Sequence, residues 1–437
     1  MVITLPPRTV ASPACVDELR RHLGHDAVSV DRVRRQRASR DHAWLSPVLS
    51  ADLPDTIADV VVRPDGVDGL RAVLGVAHDH GVAVTPRGRG TGNYGQGVPL
   101  AGGIVLDSSG LGGVIDVEPG WIHAGAGTTF VELEAAAHET GQELAMFPST
   151  TNSMLGGFLS GGAGGTGTLE HGFLWDGFVD SAEIVPCWAE PEARMLEGDE
   201  VGPHLHTYGT TGVIAAARVR LVPARFWTAL LASFDSFDAA ANAGEAALAL
   251  DPVPRSLAVD DASLVEHLRE HPRVDPHRAS MRAIIDESTV EVAAEIVWDH
   301  GGRVDLVRAD AIGYVVATSF NHVTLQAKRT NPGLCHLQVG GAALLERTRE
   351  VRSVLPGTML HLDGQLVHGE RCFGGLLISR FVDREHLYRG MDRLRDLGVV
   401  VLDPHTWRLG AHGDAEGLRA LAADQDPRGL LNPGKLP

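Results

Sequence analysis

The stretch that decides the fold is Pro86-Arg87-Gly88-Arg89-Gly90-Thr91-Gly92-Asn93-Tyr94-Gly95, which follows the short apolar run Val82 to Thr85. Glycine alternates with polar residues, so successive backbone N–H groups can converge on an anion without obstruction by side chains. Arg87 and Arg89 add positive charge, and Thr91 and Asn93 add hydroxyl and amide donors. The loop is therefore suited to a diphosphate, although an ordinary glycine-rich turn remains open for this segment alone.

A second glycine-rich segment favours the diphosphate-binding interpretation over an ordinary turn. It reads Pro148-Ser149-Thr150-Thr151-Asn152-Ser153-Met154-Leu155-Gly156-Gly157 and continues through further glycines that include Gly161 and Gly164. Strands and one amphipathic helix separate the two segments, and two such stretches are hard to explain as exposed turns. Together they predict one dinucleotide-binding groove.

The order of elements excludes a Rossmann site. That fingerprint needs a strand, G-x-G-x-x-G and a helix that begins at once, with an acidic residue about twenty positions further on. Here the glycines lead into Val98-Pro99-Leu100 and then into the predicted strand Gly103 to Asp107.

Composition narrows the class of protein. The chain has 437 residues, too many for one core, and 44% of them are hydrophobic, so two domains are expected. A formal net charge of -18 argues against binding to nucleic acid or to anionic membranes. The four cysteines are widely spaced, which disfavours a metal cluster or a disulfide framework. No apolar run is long enough to span a bilayer, so we expect a soluble, cytoplasmic protein, and the composition fits a bacterial genome of high GC content.

Strands and helices alternate from Ala58 onward. The predicted elements are the helix Val67 to His80, the strands Val82 to Thr85 and Gly103 to Asp107, the β-like runs Val114 to Val117 and Trp121 to Ala124, the helix Phe130 to Thr140, the strands Val179 to Trp188 and Val213 to Val222, the helix Ala239 to Leu250 and the strand Val315 to Phe320. We expect a cofactor domain over residues 1–224 with its core at 54–224, a substrate domain over 225–398, and a C-terminal segment over 399–437 that returns to the cofactor domain.

This arrangement resembles the FAD-binding domain of the vanillyl-alcohol oxidase and p-cresol methylhydroxylase (PCMH) family, and in particular its bacterial branch of glycolate oxidase and D-lactate dehydrogenase subunits. The resemblance covers residues 54–224, and the tail Asp426 to Lys435 matches the usual ending of the family. It implies an α+β protein with a PCMH-type FAD-binding domain of two subdomains and an α/β cap domain with an antiparallel sheet.

The resemblance also assigns residues to FAD. They are Arg87, Gly88, Arg89, Gly90, Thr91, Gly92, Asn93, Pro148, Ser149, Thr150, Ser153, Met154, Gly156, Gly157, Gly161, Gly164, Ile214, Asn432 and Lys435. Met154 departs from the family, which often has Ser or Thr at this position, so Ser153 or a backbone N–H is expected to take that role. The first loop contains no His or Cys to which FAD could be attached, and the FAD is therefore predicted to be noncovalent.

Oxidation of a C–H bond by a flavin needs a base, and histidine has a suitable pKa. His322, in Asn321-His322-Val323-Thr324-Leu325, follows a predicted strand, and His405 lies where the chain should return to the flavin. Both are candidate bases, with Tyr94 next. Arg408 is a candidate for holding a substrate carboxylate or an anionic reduced flavin. A buried packing role for each histidine remains open.

The stretch from His361 to His368 partly resembles the metal-binding H-x-G-D-G-N-x-H of D-2-hydroxy-acid dehydrogenases. Here Asp-Gly is shifted by one place, Gln replaces Asn, and the later G-E-H-G of that family is absent. We therefore predict no metal site.

The leading functional hypothesis is an FAD-dependent oxidoreductase that oxidises a small alcohol or 2-hydroxy acid by hydride transfer to flavin, with oxygen, a quinone or a carrier protein as acceptor. One alternative is an NADPH-dependent reductase of the UDP-N-acetylenolpyruvoylglucosamine type, which shares this FAD fold. The other is a flavin electron-transfer subunit without turnover.

Overall fold

Three β-sheets organise the chain, and the computed structural model describes residues 5–410 and 414–436 of it. The first sheet has the order β1-β2-β4-β3, in which β2, β4 and β3 are parallel and β1 is antiparallel to β2. Its elements are α1 (Pro13–Leu23), β1 (Val28–Ser29), α2 (Arg32–Ala38), α3 (Pro47–Asp52), β2 (Val60–Val62), α4 (Gly66–His80), β3 (Val84–Arg87) and β4 (Ile104–Asp107). The first glycine loop leaves the end of β3.

The second sheet is antiparallel and has the order β5-β6-β10-β8-β9, with β7 paired to the far end of β10. Its elements are β5 (Val114–Glu118), β6 (Trp121–Gly125), α5 (Phe130–His138), β7 (Gln142–Leu144), α6 (Leu155–Gly161), α7 (Thr168–His171), β8 (Val179–Val185), β9 (Arg194–Glu197) and β10 (Val213–Pro223). A capping box of Thr129 and Glu132 starts α5, and Gly141 follows its end with a φ of 72°. The second glycine segment lies between β7 and α7.

The third sheet forms the cap. Eight antiparallel strands have the order β14-β11-β13-β12-β16-β17-β15-β18. The elements are β11 (Trp227–Phe234), α8 (Phe237–Ala247), β12 (Ser256–Asp260), α9 (Ala262–Val265), β13 (Ala279–Asp286), α10 (Val290–Asp299), β14 (Arg303–Arg308), α11 (Ile312–Ala317), α12 (Asn321–Thr330), β15 (Leu334–Gly340), α13 (Ala343–Glu346), α14 (Thr348–Val354), β16 (Met359–Val367), β17 (Glu370–Arg380), α15 (Arg384–Asp396) and β18 (Val400–Leu402); α16 (Ala415–Gln425) follows.

The two faces of the cap sheet differ in what covers them. One face packs its apolar residues against α8, α10, α14 and α15 in a core of its own. On the other face Ile284 of β13 and Leu231 of β11 belong to the core of the FAD-binding half. Because side chains alternate along a strand, Arg282 also lies on that second face, which we call the inner face.

The predicted strand from Val315 to Phe320 is wrong. Residues 312–317 form α11, and α12 begins at Asn321, so His322 lies in the first turn of a helix rather than at the end of a strand. A short apolar run with two valines fits either a strand or a buried helix, because periodicity alone cannot separate them. Here Tyr314, Val315 and Val316 are buried against the inner face and the FAD-binding half.

The C-terminal segment first completes the cap and then returns. β18 pairs with β15, just beyond the predicted boundary at 398, and Leu431 later forms a bridge with Val84 of the first sheet. Within residues 5–410 and 414–436, no helix has the length and apolar character needed to cross a bilayer.

Candidate FAD and substrate site

The two glycine segments lie against each other. A Cβ atom placed on Gly157 would lie 3.9 Å from the Cα atom of Gly88. Thr91 and Ser153 share a hydrogen bond of 3.0 Å between their hydroxyls, and Ser153 donates to the Thr150 hydroxyl at 2.6 Å. The structure therefore brings together the two segments that the sequence paired.

The first loop has features that fit an anionic group. Gly90 has a φ of 67°, and a Cβ atom there would overlap the guanidinium of Arg87. Arg87 donates to the Gly88 carbonyl at 3.0 Å and to the Arg40 carbonyl at 3.2 Å, while its buried Nε finds no hydrogen-bond partner among the described residues. Burial lowers the pKa of Arg87, and Asp107 and Asp41 oppose that shift. A half-buried cation whose Nε donor is unused, beside glycines, fits a diphosphate.

Ser153, not Met154, supplies the hydroxyl at the second segment. The Met154 side chain packs on Gly88, where an added Cβ would lie 3.4 Å from the Met154 Cβ, and its sulfur accepts from the Ser108 hydroxyl at 3.8 Å. Arg89 is exposed, and Ile214 is buried on β10.

The C-terminal tail lies beneath the first loop. Asn432 donates to the Gln96 carbonyl at 2.9 Å and to the Tyr208 carbonyl at 2.8 Å. Lys435 is fully buried and donates to the Gly95 carbonyl at 2.5 Å; burial lowers its pKa to about 7, against the opposing charge of Asp41. Both tail residues thus bind main-chain oxygens of the protein and fix the loop from below.

Tyr94 connects the first loop to the cap. Its phenol oxygen accepts from Asn321 Nδ2 at 3.1 Å and from Gln338 Nε2 at 2.7 Å. Gln338 lies on β15 and Asn321 begins α12. Burial raises the pKa of Tyr94, although these amide donors oppose the shift, so the phenol stays protonated at neutral pH and its O–H is left to donate.

Two buried histidines lie close to each other, one of them on the strand that carries Gln338. His336 is on β15, two residues before Gln338 and therefore on the same face, and its ring centroid is 6.2 Å from that of His405. His405 Nδ1 is 2.7 Å from the Ser46 hydroxyl. Burial lowers the pKa of His336 to about 3 and that of His405 to about 4, so both rings are neutral at neutral pH. Neither nitrogen of His336 has a hydrogen-bond partner in the described ranges.

The sequence reasoning missed His336. Its signal was an imidazole among apolar residues in Leu334-Cys335-His336-Leu337, at a position where strand alternation places it beside Gln338.

The other two predicted catalytic residues, His322 and Arg408, are next in sequence to residues that contact the first loop. His322 follows Asn321, burial lowers its pKa, and its Nδ1 lacks a hydrogen-bond partner within the part of the chain that the structure describes. Arg408 follows Trp407, whose Cβ would lie 3.3 Å from a Cβ on Gly95, and the Nε of Arg408 is buried and similarly unpartnered. The structure places both near the first loop without joining them directly to Tyr94.

The His361 to His368 stretch divides between interior and surface. His361 is fully buried, with its Nδ1 2.8 Å from Asp260 and its Nε2 2.9 Å from Asp363, whereas His368 is exposed in the turn between β16 and β17. Burial opposes protonation of His361, but the two carboxylates raise its pKa to about 9. Both ring nitrogens are engaged, and the absence of a metal stays a prediction.

Comparisons with known proteins agree with this geometry. Residues 58–186 match the family model described as FAD binding domain. Over 192 residues the chain is 30% identical to D-lactate dehydrogenase of Archaeoglobus fulgidus, covering 42% of this chain and 43% of that protein. Over 213 residues it is 27% identical to glycolate oxidase subunit GlcD of Bacillus subtilis, covering 46% and 45%. The matched segments span less than half the length of these relatives.

A solved structure extends the likeness in fold to the whole chain. Alkyldihydroxyacetonephosphate synthase superposes with a TM-score of 0.75 at 15% identity, over 99% of this chain and 87% of that one. The fold and the paired loops define an FAD-binding protein with a cap domain. More narrowly, residues 58–186 form an FAD-binding domain, and the chain has the PCMH-type fold with a cap domain, as the sequence predicted.

Proposed function

We propose that the protein is an FAD-dependent oxidoreductase that oxidises a small alcohol, and in first place a 2-hydroxy acid. The observation that carries the proposal is Tyr94, which belongs to the first FAD loop and accepts hydrogen bonds at its phenol oxygen from two cap residues. One of these, Gln338, lies on the same face of β15 as the buried His336. The names of the matched relatives, which include a D-lactate dehydrogenase and a D-2-hydroxyglutarate dehydrogenase of Pseudomonas putida, support the substrate class. Neither the reductase nor the electron-transfer alternative has an observation in its favour.

When bound, FAD supplies a two-electron acceptor for the hydride that leaves C2 of the substrate. The loop residues Arg87 to Asn93 and Pro148 to Gly157, with Gly161, Gly164 and Ile214, would hold it, and Asn432 and Lys435 would support the first loop. We propose noncovalent binding, because the first loop contains no His or Cys.

The protein side chains would accept the hydroxyl proton of the substrate and bind its carboxylate. His405 or His322, both neutral because burial lowers their pKa values, would accept the hydroxyl proton as the 2-oxo product forms. Tyr94 would donate its free O–H to the same substrate oxygen. Arg408 would bind the carboxylate through its guanidinium. We propose the division into residues 1–224, 225–398 and 399–437 for these roles.

Anaerobic mixing of the purified holoprotein with D-lactate, L-lactate, glycolate and D-2-hydroxyglutarate tests the function. At least one of them should bleach the visible flavin absorbance and yield the 2-oxo acid. Reduction by dithionite but by none of these acids would reject the substrate class. Reduction by NADPH instead would favour the reductase.

Acid precipitation of the same sample tests the mode of FAD binding. The FAD should appear in the supernatant. Flavin that stays in the protein pellet would contradict noncovalent binding.

A further inference from the structure

Four charged side chains meet in the interior of the cap. Asp260 on β12, Arg282 on β13, and His361 and Asp363 on β16 lie on three adjacent strands. The first three are fully buried, and Asp363 is 6% exposed. They share the inner face with Ile284, and therefore lie on the side turned toward the FAD-binding half. We call these four residues the buried quartet.

The quartet is balanced in charge. Each ring nitrogen of His361 is within hydrogen-bond distance of a carboxylate, and a carboxylate accepts but does not donate, so both nitrogens carry protons. Arg282 forms an ion pair with Asp260. Two cations thus neutralise two anions, and removal of one partner leaves a charge buried without compensation.

One edge of the quartet holds the turn between α11 and α12. Arg282 donates to the Thr318 carbonyl at 2.8 Å, and Asp363 accepts from the Phe320 N–H at 3.2 Å. Phe320 has a φ of 52° and a ψ of −146°, a conformation that residues other than glycine rarely adopt. Such a conformation persists only where the surroundings enforce it, and here both ends of the turn are bound to the quartet.

The next residue after the strained turn is the one that reaches Tyr94. Asn321 donates to the phenol oxygen at 3.1 Å, and its own Oδ1 is buried and has no hydrogen-bond partner in the described part of the chain. A shift of the turn would move this amide and the first turn of α12, which carries His322.

We propose that the buried quartet is a positioning device for the substrate site, in which Asp363 and Arg282 hold the strained turn so that Asn321 fixes the hydroxyl of Tyr94. The inference rests on the proposed function in taking Tyr94 as part of the substrate site. The quartet residues act through this turn, so they are positioning residues. Replacement of a buried ion pair by apolar residues of similar volume is often neutral for stability, so stability of the sheet alone does not require these charges.

The first experiment needs no substrate. Asp363→Asn keeps the shape of the side chain and removes its charge. Amide hydrogen exchange of the holoprotein, followed by mass spectrometry of a peptide spanning 318–326, should become about tenfold faster, because a charge-assisted hydrogen bond to the turn is lost. Asp261→Asn is the matched control: Asp261 is also a buried aspartate, but it accepts from the Leu360 N–H and pairs with Arg352. The control should leave that peptide unchanged.

The second experiment is a double-mutant cycle. With any 2-hydroxy acid that reduces the flavin, Asp363→Asn should slow reduction about tenfold in the wild-type background and less than twofold in Tyr94→Phe, because the effect passes through Tyr94. Equal slowing in both backgrounds, or equal exchange in Asp363→Asn and Asp261→Asn, would overturn the proposal.

A second variant is used in case Asp363→Asn does not fold. His361→Gln removes one cation and should also accelerate exchange in 318–326. If both variants unfold while Asp261→Asn stays folded, the quartet is a general stability element and the proposal falls. If no 2-hydroxy acid reduces the flavin, the proposed function fails, and the exchange experiment still decides the positioning role.

Discussion

The glycine loops and the inner face of the cap differ in which part of the chain supplies the polar groups. In the loops the main chain supplies the donors, and the features that matter are the positive φ of Gly90 and the close approach of Gly88 and Gly157. On the inner face the working groups are buried side chains whose pKa values have moved, such as His336 downward and His361 upward. The loops should therefore be sensitive to added bulk, and the inner face to the identity of single side chains.

The largest effect is expected at the loops. Gly90→Val should abolish retention of FAD, because a β-branched residue disfavours a φ of 67° and its Cβ would overlap the Arg87 guanidinium. The ratio of flavin to protein absorbance after gel filtration measures the loss. Gly97→Ala is a control in the same loop, because an added Cβ there meets only Arg87 Cγ, at 3.8 Å. Full occupancy in Gly90→Val would remove this loop from the FAD site.

In the cap and in the segment that follows it, the largest effect on the rate of flavin reduction is expected from loss of the catalytic base. Either His405→Ala or His322→Ala should slow anaerobic flavin reduction by about 10²- to 10⁴-fold, the usual contribution of general-base catalysis, while FAD stays bound. Arg408→Ala should instead raise the KM for an acidic substrate, since it removes a forked contact. Stopped-flow absorbance separates these outcomes. If neither histidine variant loses even tenfold, the base lies elsewhere. Tyr94, the other candidate from the sequence, is not expected to serve, because burial raises its pKa and keeps the phenol protonated.

His336 could either pack in the cap or serve the substrate, and the two roles predict different rates of flavin reduction for His336→Leu. A buried imidazole without hydrogen bonds costs about 1–3 kcal/mol, so His336→Leu should leave the midpoint of thermal unfolding unchanged or higher. If the ring serves the substrate, reduction should nevertheless slow about tenfold or more, as expected for loss of a hydrogen bond to a reacting group. A stabilised variant of normal rate would assign His336 to packing alone.

The pH dependence of stability tests the charged part of the inner face. The pKa of His361 is raised to about 9 in the folded protein, above the usual 6.5, so its protonation stabilises the fold fully below about pH 6.5. That contribution is lost as the pH rises through about 9. Urea unfolding at pH 7 and pH 10 should therefore show a smaller difference between wild type and His361→Gln at the higher pH. A constant difference would mean that His361 does not titrate in this range.

The smallest effect is expected from metal removal. Dialysis against EDTA should leave the rate of flavin reduction unchanged, because both ring nitrogens of His361 already engage carboxylates and His368 lies on the surface. Loss of activity that returns with a divalent cation would refute the prediction.

The sequence predicted that the two glycine segments come together, because the spacing of glycines indicates where the main chain can make close approaches. The sequence also singled out Tyr94 and His405, and their catalytic roles stay predictions. The buried quartet was missed as a unit, because β16, which carries His361 and Asp363, is far along the chain from β12 and β13 and meets them only in the folded sheet. The strand assigned to Val315 to Phe320 failed because a short apolar run does not decide between helix and strand. His336 was missed because its significance depends on which face of the sheet turns toward Tyr94.

The contacts of Asn432 and Lys435 with the first loop have a consequence for the order of events during synthesis. Their partners, the carbonyls of Gln96, Tyr208 and Gly95, leave the ribosome long before the tail does. Because chains fold from the N-terminal side as they emerge, the loop lacks this support until Asn432 and Lys435, which are 336 and 340 residues beyond Gln96 and Gly95, have been made. We therefore expect FAD to be bound stably only after Asn432 and Lys435 have left the ribosome.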